Sequence, residues 1–141
     1  MIVKFYDQVE DEKLKFAVIA ARAEGKWVFC KHKARTTFEM PGGHREPGEP
    51  ILTTARRELQ EETGATAFDL QPVCVYSVTD PDDFDGAETY GLLCTARVHA
   101  FGPIDSEMEK IVLTADLPTQ WTYPQIQPKL LAELERRGVI Q

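Results

Sequence analysis

Glu58, Glu61 and Glu62 stand at i, i+3 and i+4 in a stretch, residues 51–63, that carries five charged residues within two turns. A helix over that stretch projects all three carboxylates from one face. Like charges at this spacing weaken an isolated helix by about 0.2–0.5 kcal/mol per pair. Three of them stacked together call for a cation between them. The pair Gly42-Gly43 precedes them, and glycine permits positive φ and close approach of backbone to a ligand or metal.

The elements that must hold this face can be read around it. Pro50 suits a first helical turn, and Gly64 supplies the stop, so the spacing predicts a helix ending at about Thr63. Leu52, Ala55 and Leu59 form its apolar stripe. Upstream, Ile2 to Tyr6 alternates weakly as a short edge strand, and Glu10 to Lys13 reads as a turn. Leu14 to Cys30 reads as an antiparallel hairpin turning at Ala23-Glu24-Gly25-Lys26. Phe38-Glu39-Met40 reads as a short strand stopped by Pro41-Gly42-Gly43. Downstream, Val73 to Val78, Tyr90 to Phe101 (with Gly91 a candidate bulge) and Lys110 to Thr114 read as strands. Gln125 to Arg137 reads as a second helix with Ile126, Leu130, Leu131 and Leu134 on one face. The Asp80–Gly86 turn fails as a calcium loop, because Gly86 at its sixth position puts Pro81 first and Leu92 twelfth.

Length and composition bound the partners. The 141 residues suit one domain over 1–141, with no internal repeat and no dividing linker. A formal charge of −7 argues against broad binding to extended nucleic acid or to an anionic membrane. It leaves a small phosphorylated substrate open, since a bound divalent metal supplies local positive charge. Cys30, Cys74 and Cys94 are odd in number and widely spaced, which favours reduced thiols. With no leader pattern and no apolar segment of membrane-spanning length, the expected location is cytoplasmic.

The central stretch matches the pattern G-x5-E-x7-R-E-U-x-E-E-x-G-U, where U is a bulky aliphatic residue. Its fixed positions fall on Gly43, Glu49, Arg57, Glu58, Leu59, Glu61, Glu62 and Gly64. Ala65 occupies the last position and is smaller than the usual aliphatic. Average residue usage makes a chance match about one in a billion per starting position. The pattern resembles that of the Nudix hydrolase family. The resemblance implies an α/β fold, an α/β/α sandwich around a central mixed sheet with a catalytic loop–helix–loop and a C-terminal helix.

It also implies hydrolysis of a nucleoside diphosphate linked to another group, with Mg2+ or Mn2+ as cofactor. By that resemblance Glu61 and Glu62 are the firmest metal ligands, joined by the Gly42 carbonyl. Glu58 is another ligand or the base that takes the proton of water. Arg57 and Glu49 form an internal ion pair that fixes the loop against the helix. A further acidic ligand from a late loop falls on Glu107, with Asp105 and Glu109 as competitors. A homodimer is compatible with the resemblance, though no residue argues for it.

Substrate contacts are expected outside the motif. The basic run Lys31 to Arg35 is either a solvated strand end or a phosphate contact, with Arg35 as the candidate. Phe38, Phe84, Trp121 and Tyr123 are candidates to stack on a nucleobase, Trp121 and Tyr123 first. The runs Phe38–His44 and Trp121–Pro128 resemble a bacterial branch related to 8-oxo-dGTP or dGTP diphosphatases. That ranks purine nucleoside triphosphates ahead of ADP-ribose, dinucleoside polyphosphates and 5′-triphosphorylated RNA ends. A non-catalytic nucleotide-binding module is the reading from a different class.

Overall fold

Strand β1 (Ile2–Tyr6) forms one edge of the sheet, and β2 (Leu14–Ala23) follows a 3-10 turn at Asp11–Lys13. Glu24 and Gly25, both at positive φ (54 and 76), reverse the chain into β3 (Lys26–His32). A computed structural model describes residues 1–82, 86–104 and 108–140 of the chain. In it β2 and β3 pair antiparallel only next to the turn, from Ala21↔Val28 to Ala23↔Lys26. Beyond that the two strands part, because β4 (Gly42–His44) takes the place beside β2 at Phe16–Val18.

The expected Leu14–Cys30 hairpin is therefore a hairpin only at its closed end. The expected strand at Phe38–Met40 is absent as well. Phe38 and Glu39 make isolated bridges, to Trp121 and Cys30, and the strand forms one step later on the two glycines. Their lack of a side chain is the reason: a Cβ on Gly42 would overlap the Ala17 carbonyl.

The chain continues through α1 (Ile51–Thr63), β5 (Ala65–Thr79), β6 (Glu88–Phe101), β7 (Met108–Thr114) and α2 (Gln127–Arg136). The sheet order is β1-β5-β6-β2-β3-β7, with β2 and β6 parallel and the other pairs antiparallel. One apolar layer, including Ala17, Ile19, Val75 and Leu92, packs beneath Ala55 and Leu59 of α1. The other, including Ala20, Phe29, Cys74 and Leu93, packs beneath Leu130, Leu131 and Leu134 of α2. Helices thus cover both faces of a mixed sheet, the expected α/β/α sandwich. Cys30, Cys74 and Cys94 are buried free thiols within it. None of the described helices is long and apolar enough to cross a membrane.

Three further expectations need correction. Leu52 is 39% exposed, so the buried face of α1 is Ala55 and Leu59, flanked by Thr54 and Thr63. Those threonines tolerate burial because their hydroxyls donate, to the Glu49 carboxylate at 2.6 Å and to the Leu59 carbonyl at 2.5 Å. Strand β5 begins eight residues before Val73, passing through the exposed Pro72 at a register shift. That is where a residue without an N–H is tolerated in a ladder. Finally, the register irregularity near Gly91 lies in β2, between Leu14 and Phe16. Gly91 instead leaves room for the Phe16 ring, which a Cβ there would overlap.

Gly64 closes α1 in the left-handed region (φ 76), with its N–H bonded to the Gln60 carbonyl at 2.9 Å. Its own carbonyl accepts from Gly102 N–H at 2.6 Å, tying the helix end to the chain after β6. A Cβ at Gly64 would strike the Gly102 carbonyl. Gly64→Ala combines that overlap with a left-handed penalty of about 1–2 kcal/mol. It is expected to cost about 2 kcal/mol or more, read as a lowered midpoint in urea with an unchanged slope. An unchanged midpoint would show that this cap does not hold the helix.

Candidate active site

The loop between β4 and α1 is fixed by two arginines. Arg57 donates from Nε to Glu49 Oε2 at 2.8 Å and from Nη2 to Glu49 Oε1 at 3.0 Å, a forked pair. Its Nη2 also reaches the His44 carbonyl at 3.0 Å, and Nη1 reaches Glu58 Oε1 at 2.7 Å and Glu61 Oε2 at 3.3 Å. Arg57, then the Thr54 hydroxyl, holds the Glu49 carboxyl down at about 2. Arg45 donates to the Glu49 carbonyl at 2.6 Å and to the Asp11 carboxylate at 2.9 Å. No residue spacing marks Arg45 as a strut, because its partners are mostly backbone carbonyls, some from a distant turn.

Glu58 is 12% exposed at its side chain, and burial raises its pKa against the lowering effect of Arg57. Gly43 lies directly against it, where any Cβ would overlap the carboxylate. Glu62 turns toward β4 and accepts the Gly42 N–H at 2.7 Å. Burial, reinforced by Glu58, Glu39 and Glu61, pushes its pKa up to about 8. Glu61 is the exposed member, 49% at its side chain. Leu59 is fully buried beneath the cluster, and Ala65 is buried at the start of β5, where its small side chain fits the packed strand end.

Glu39, 7% exposed, is an acidic neighbour that sequence spacing did not reveal. It reaches the site because its backbone bridges Cys30, with N–H···O contacts of 2.8 and 2.9 Å. Burial raises its pKa, opposed first by Arg35.

Oxygen-only donors, two of them desolvated and anionic only at a cost, have the chemistry that suits a hard divalent cation. Among the described residues, however, no three acidic, histidine or cysteine side chains converge on one point. Glu58 and Glu61 close on Arg57 while Glu62 closes on Gly42. The donor set fits a metal; its side chains as placed form a charge clamp. Glu107, Asp105 and the Glu109 side chain lie outside the described residues, as does Phe84.

A cavity of about 230 Å³ opens beside the cluster, sharing Gly42, Gly43 and Glu39 with it. Phe16, Tyr76 and Tyr123 line it, together with Gln127, whose Oε1 accepts Met40 N–H at 2.7 Å. Tyr123 is 40% exposed, and Arg35 reaches its hydroxyl at 3.4 Å. Phe38 and Trp121 do not line this cavity. Trp121 meets Phe29 edge to face at 5.4 Å, and Phe38 lines a separate hollow with Phe29. Phe16 and Tyr76 were legible only as alternating strand residues, with nothing in their spacing to mark a site.

A helix carrying acidic side chains against one face of a mixed sheet, a second helix on the other and a glycine-lined cavity beside the acidic cluster define an α/β/α sandwich with one candidate site. The family model for the NUDIX domain matches residues 11–134, and the chain belongs to the Nudix family. It is similar to YtkD of Bacillus subtilis (strain 168), named as a candidate 8-oxo-dGTP diphosphatase, at 37% identity over 76 residues, 54% of this chain and 48% of that protein. It is also similar to an ADP-ribose pyrophosphatase of the same organism, at 44% over 64 residues, 43% of this chain and 35% of that one. The matches thus span less than half the length of either curated relative. Among solved structures, a point mutant of the Bacillus subtilis pyrophosphohydrolase BsRppH superposes with a TM-score of 0.79 at 25% identity, covering 99% of this chain and 93% of that one.

Proposed function

We propose that the chain hydrolyses a pyrophosphate linkage in a nucleoside diphosphate derivative, purine nucleoside triphosphates first, giving the monophosphate and pyrophosphate. The carrying observation is the cluster of Glu58, Glu61 and Glu62 packed against Gly42 and Gly43, which also line the neighbouring cavity. The names of two relatives, a diphosphatase and a pyrophosphatase, support the reaction class.

Mg2+ or Mn2+, held by Glu61 and Glu62 with Glu58 and the Gly42 carbonyl nearby, would neutralise phosphate charge and activate water. Glu58 takes the proton of the attacking water, a role that its raised pKa and its fixed contact with Arg57 both serve. Water attacks phosphorus, the bridging P–O bond breaks, and the leaving phosphate keeps the electron pair. Arg57 and Glu49 position the loop and the helix. The apolar walls at Phe16, Tyr76 and Tyr123 suit a base ring, and Arg35 at the rim suits a phosphate. A small nucleotide as partner, a cytoplasmic location and a single domain over 1–141 complete the proposal.

The test is a panel of nucleotides with Mg2+ or Mn2+, scored by products as well as rate. Purine triphosphates are expected to turn over fastest and release pyrophosphate. ADP-ribose, a dinucleoside polyphosphate or an RNA 5′ end turning over faster would reassign the substrate. Tight nucleotide binding with no turnover on any member would replace the hydrolase by a binding module.

A further inference from the structure

Two arginines stand side by side on β2 and β6, away from α1. The registers Asp69↔Arg97, Arg97↔Arg22 and Arg22↔Trp27 set four residues in a row across β5, β6, β2 and β3. Arg22 shares the sheet face of Phe16, Val18 and Ala20, because alternate strand residues point the same way. It stands four residues beyond Val18, the partner of Gly42, which is about 13 Å along the strand. The row is therefore separate from the acidic cluster. Past the end of α2, Val139 and Ile140 border it, and the cavity there, of about 310 Å³, is lined also by Gln71 and Thr95.

Two guanidiniums on adjacent strands repel, and like charges facing across a ladder weaken it. The Arg22 guanidinium stacks on Trp27, 4.1 Å from the ring centroid, which engages its face and leaves its edge N–H groups to find acceptors. Its Nε is buried without a hydrogen-bond partner. The one carboxylate in the row, Asp69, accepts from His99 Nε2 at 2.8 Å instead. Among the described residues neither Arg22 nor Arg97 has an ion pair. That is notable in a chain with 23 acidic residues and a net charge of −7. An anion between the two arginines resolves both the repulsion and the unmet donors.

We propose that this cavity is a second, non-catalytic site for a phosphate group, gripped by Arg22 and Arg97 with Gln71 and Thr95 as hydrogen-bonding walls. The planar guanidinium fork matches phosphate oxygens in pairs, which a compact ammonium does not. The volume admits a phosphate with a ring-sized substituent, so the source is either free phosphate and pyrophosphate or the phosphate of a nucleotide.

The experiment titrates the full chain with inorganic phosphate, pyrophosphate and a purine nucleoside monophosphate, following arginine Nε–H and tryptophan indole resonances. Saturable shifts are expected at Arg22 and Trp27, with Trp121 unmoved as the internal control. Arg97→Gln should weaken binding about ten-fold while leaving hydrolysis unchanged. Asp69→Asn should tighten it by removing the carboxylate of the row. Equal saturation by free phosphate and monophosphate names phosphate alone as the ligand; tighter binding of the monophosphate names the nucleotide. Absence of saturable shifts with all three probes, or equal shifts in the Arg97→Gln protein, would overturn the site. The Asp69→Asn arm keeps it falsifiable should Arg97→Gln fail to fold.

Discussion

Replacing Glu62 by glutamine is expected to reduce hydrolysis by about two to four orders of magnitude while making the metal-free protein more stable at alkaline pH. Glutamine has nearly the same shape, and its carbonyl oxygen can still accept the Gly42 N–H that Glu62 accepts at 2.7 Å. What disappears is a buried negative charge beside Glu58, Glu39 and Glu61. Burial first, then those neighbours, raise the Glu62 pKa from 4.5 to about 8. A carboxyl raised on folding binds its proton more tightly in the folded chain. Its contribution is therefore favourable below about pH 4.5 and is lost as pH climbs through about 8.

Melting the metal-free protein between those limits should show the wild type falling with pH and Glu62→Gln falling less, so that the two curves separate toward pH 8. In the proposed metal role a divalent cation would take the place of the proton, so Mg2+ should raise the wild-type midpoint more at pH 8 than at pH 6. Glu62→Gln should lose that pH-linked gain. Near wild-type turnover, or a Glu62→Gln melting point below wild type at pH 8 without metal, would remove Glu62 from the metal role. Glu61→Gln should lose activity comparably without the stability gain, because Glu61 is exposed and sheds no buried charge.

The contrast between Glu62 and Glu39 shows what a sequence can and cannot disclose about such a site. Glu58, Leu59, Glu61 and Glu62 share one helix that Gly64 caps, so their mutual geometry is local and follows from a 3.6-residue repeat and a left-handed stop. Glu39 sits beside them only because its backbone bridges Cys30, and no spacing within the motif encodes that bridge. Strand β4 was hidden for a related reason. A glycine pair reads as a loop, yet here the missing side chains let the backbone lie against Ala17 and Val18 of β2, far earlier in the chain. Trp121 and Phe38 illustrate the converse. Their aromatic rings suggest a stacking surface, and in the fold both pack, partly buried, against the apolar layer under α2. The Arg22–Arg97 row joins positions 75 residues apart through the parallel β2–β6 pairing, so it exists only once the sheet does.

Arg57→Lys is expected to lower kcat about 100-fold with the charge conserved, which makes it the sharper test of positioning. Arg57 uses its fork fully: Nε and Nη2 take both Glu49 oxygens, Nη2 also takes the His44 carbonyl, and Nη1 takes Glu58 and Glu61. A lysine ammonium is a single point with three donors and cannot span three carboxylates and a strand carbonyl at once. Released from the fork, Glu58 loses the contact that aims it, and Glu49 loses the largest cause of its lowered pKa. The pH signature follows with a definite sign. Glu49 folds with its carboxyl depressed from 4.5 to about 2, so its contribution is present above about pH 4.5 and is lost as pH falls toward 2. In Arg57→Lys that window should narrow from the acid side, seen as a smaller loss of melting temperature between pH 4.5 and pH 2 from a lower starting point. If instead Arg57→Lys kept both wild-type kcat and the wild-type acid profile, the forked contact would be incidental. The loop between β4 and α1 would then owe its placement to Arg45 and the Asp11 turn alone.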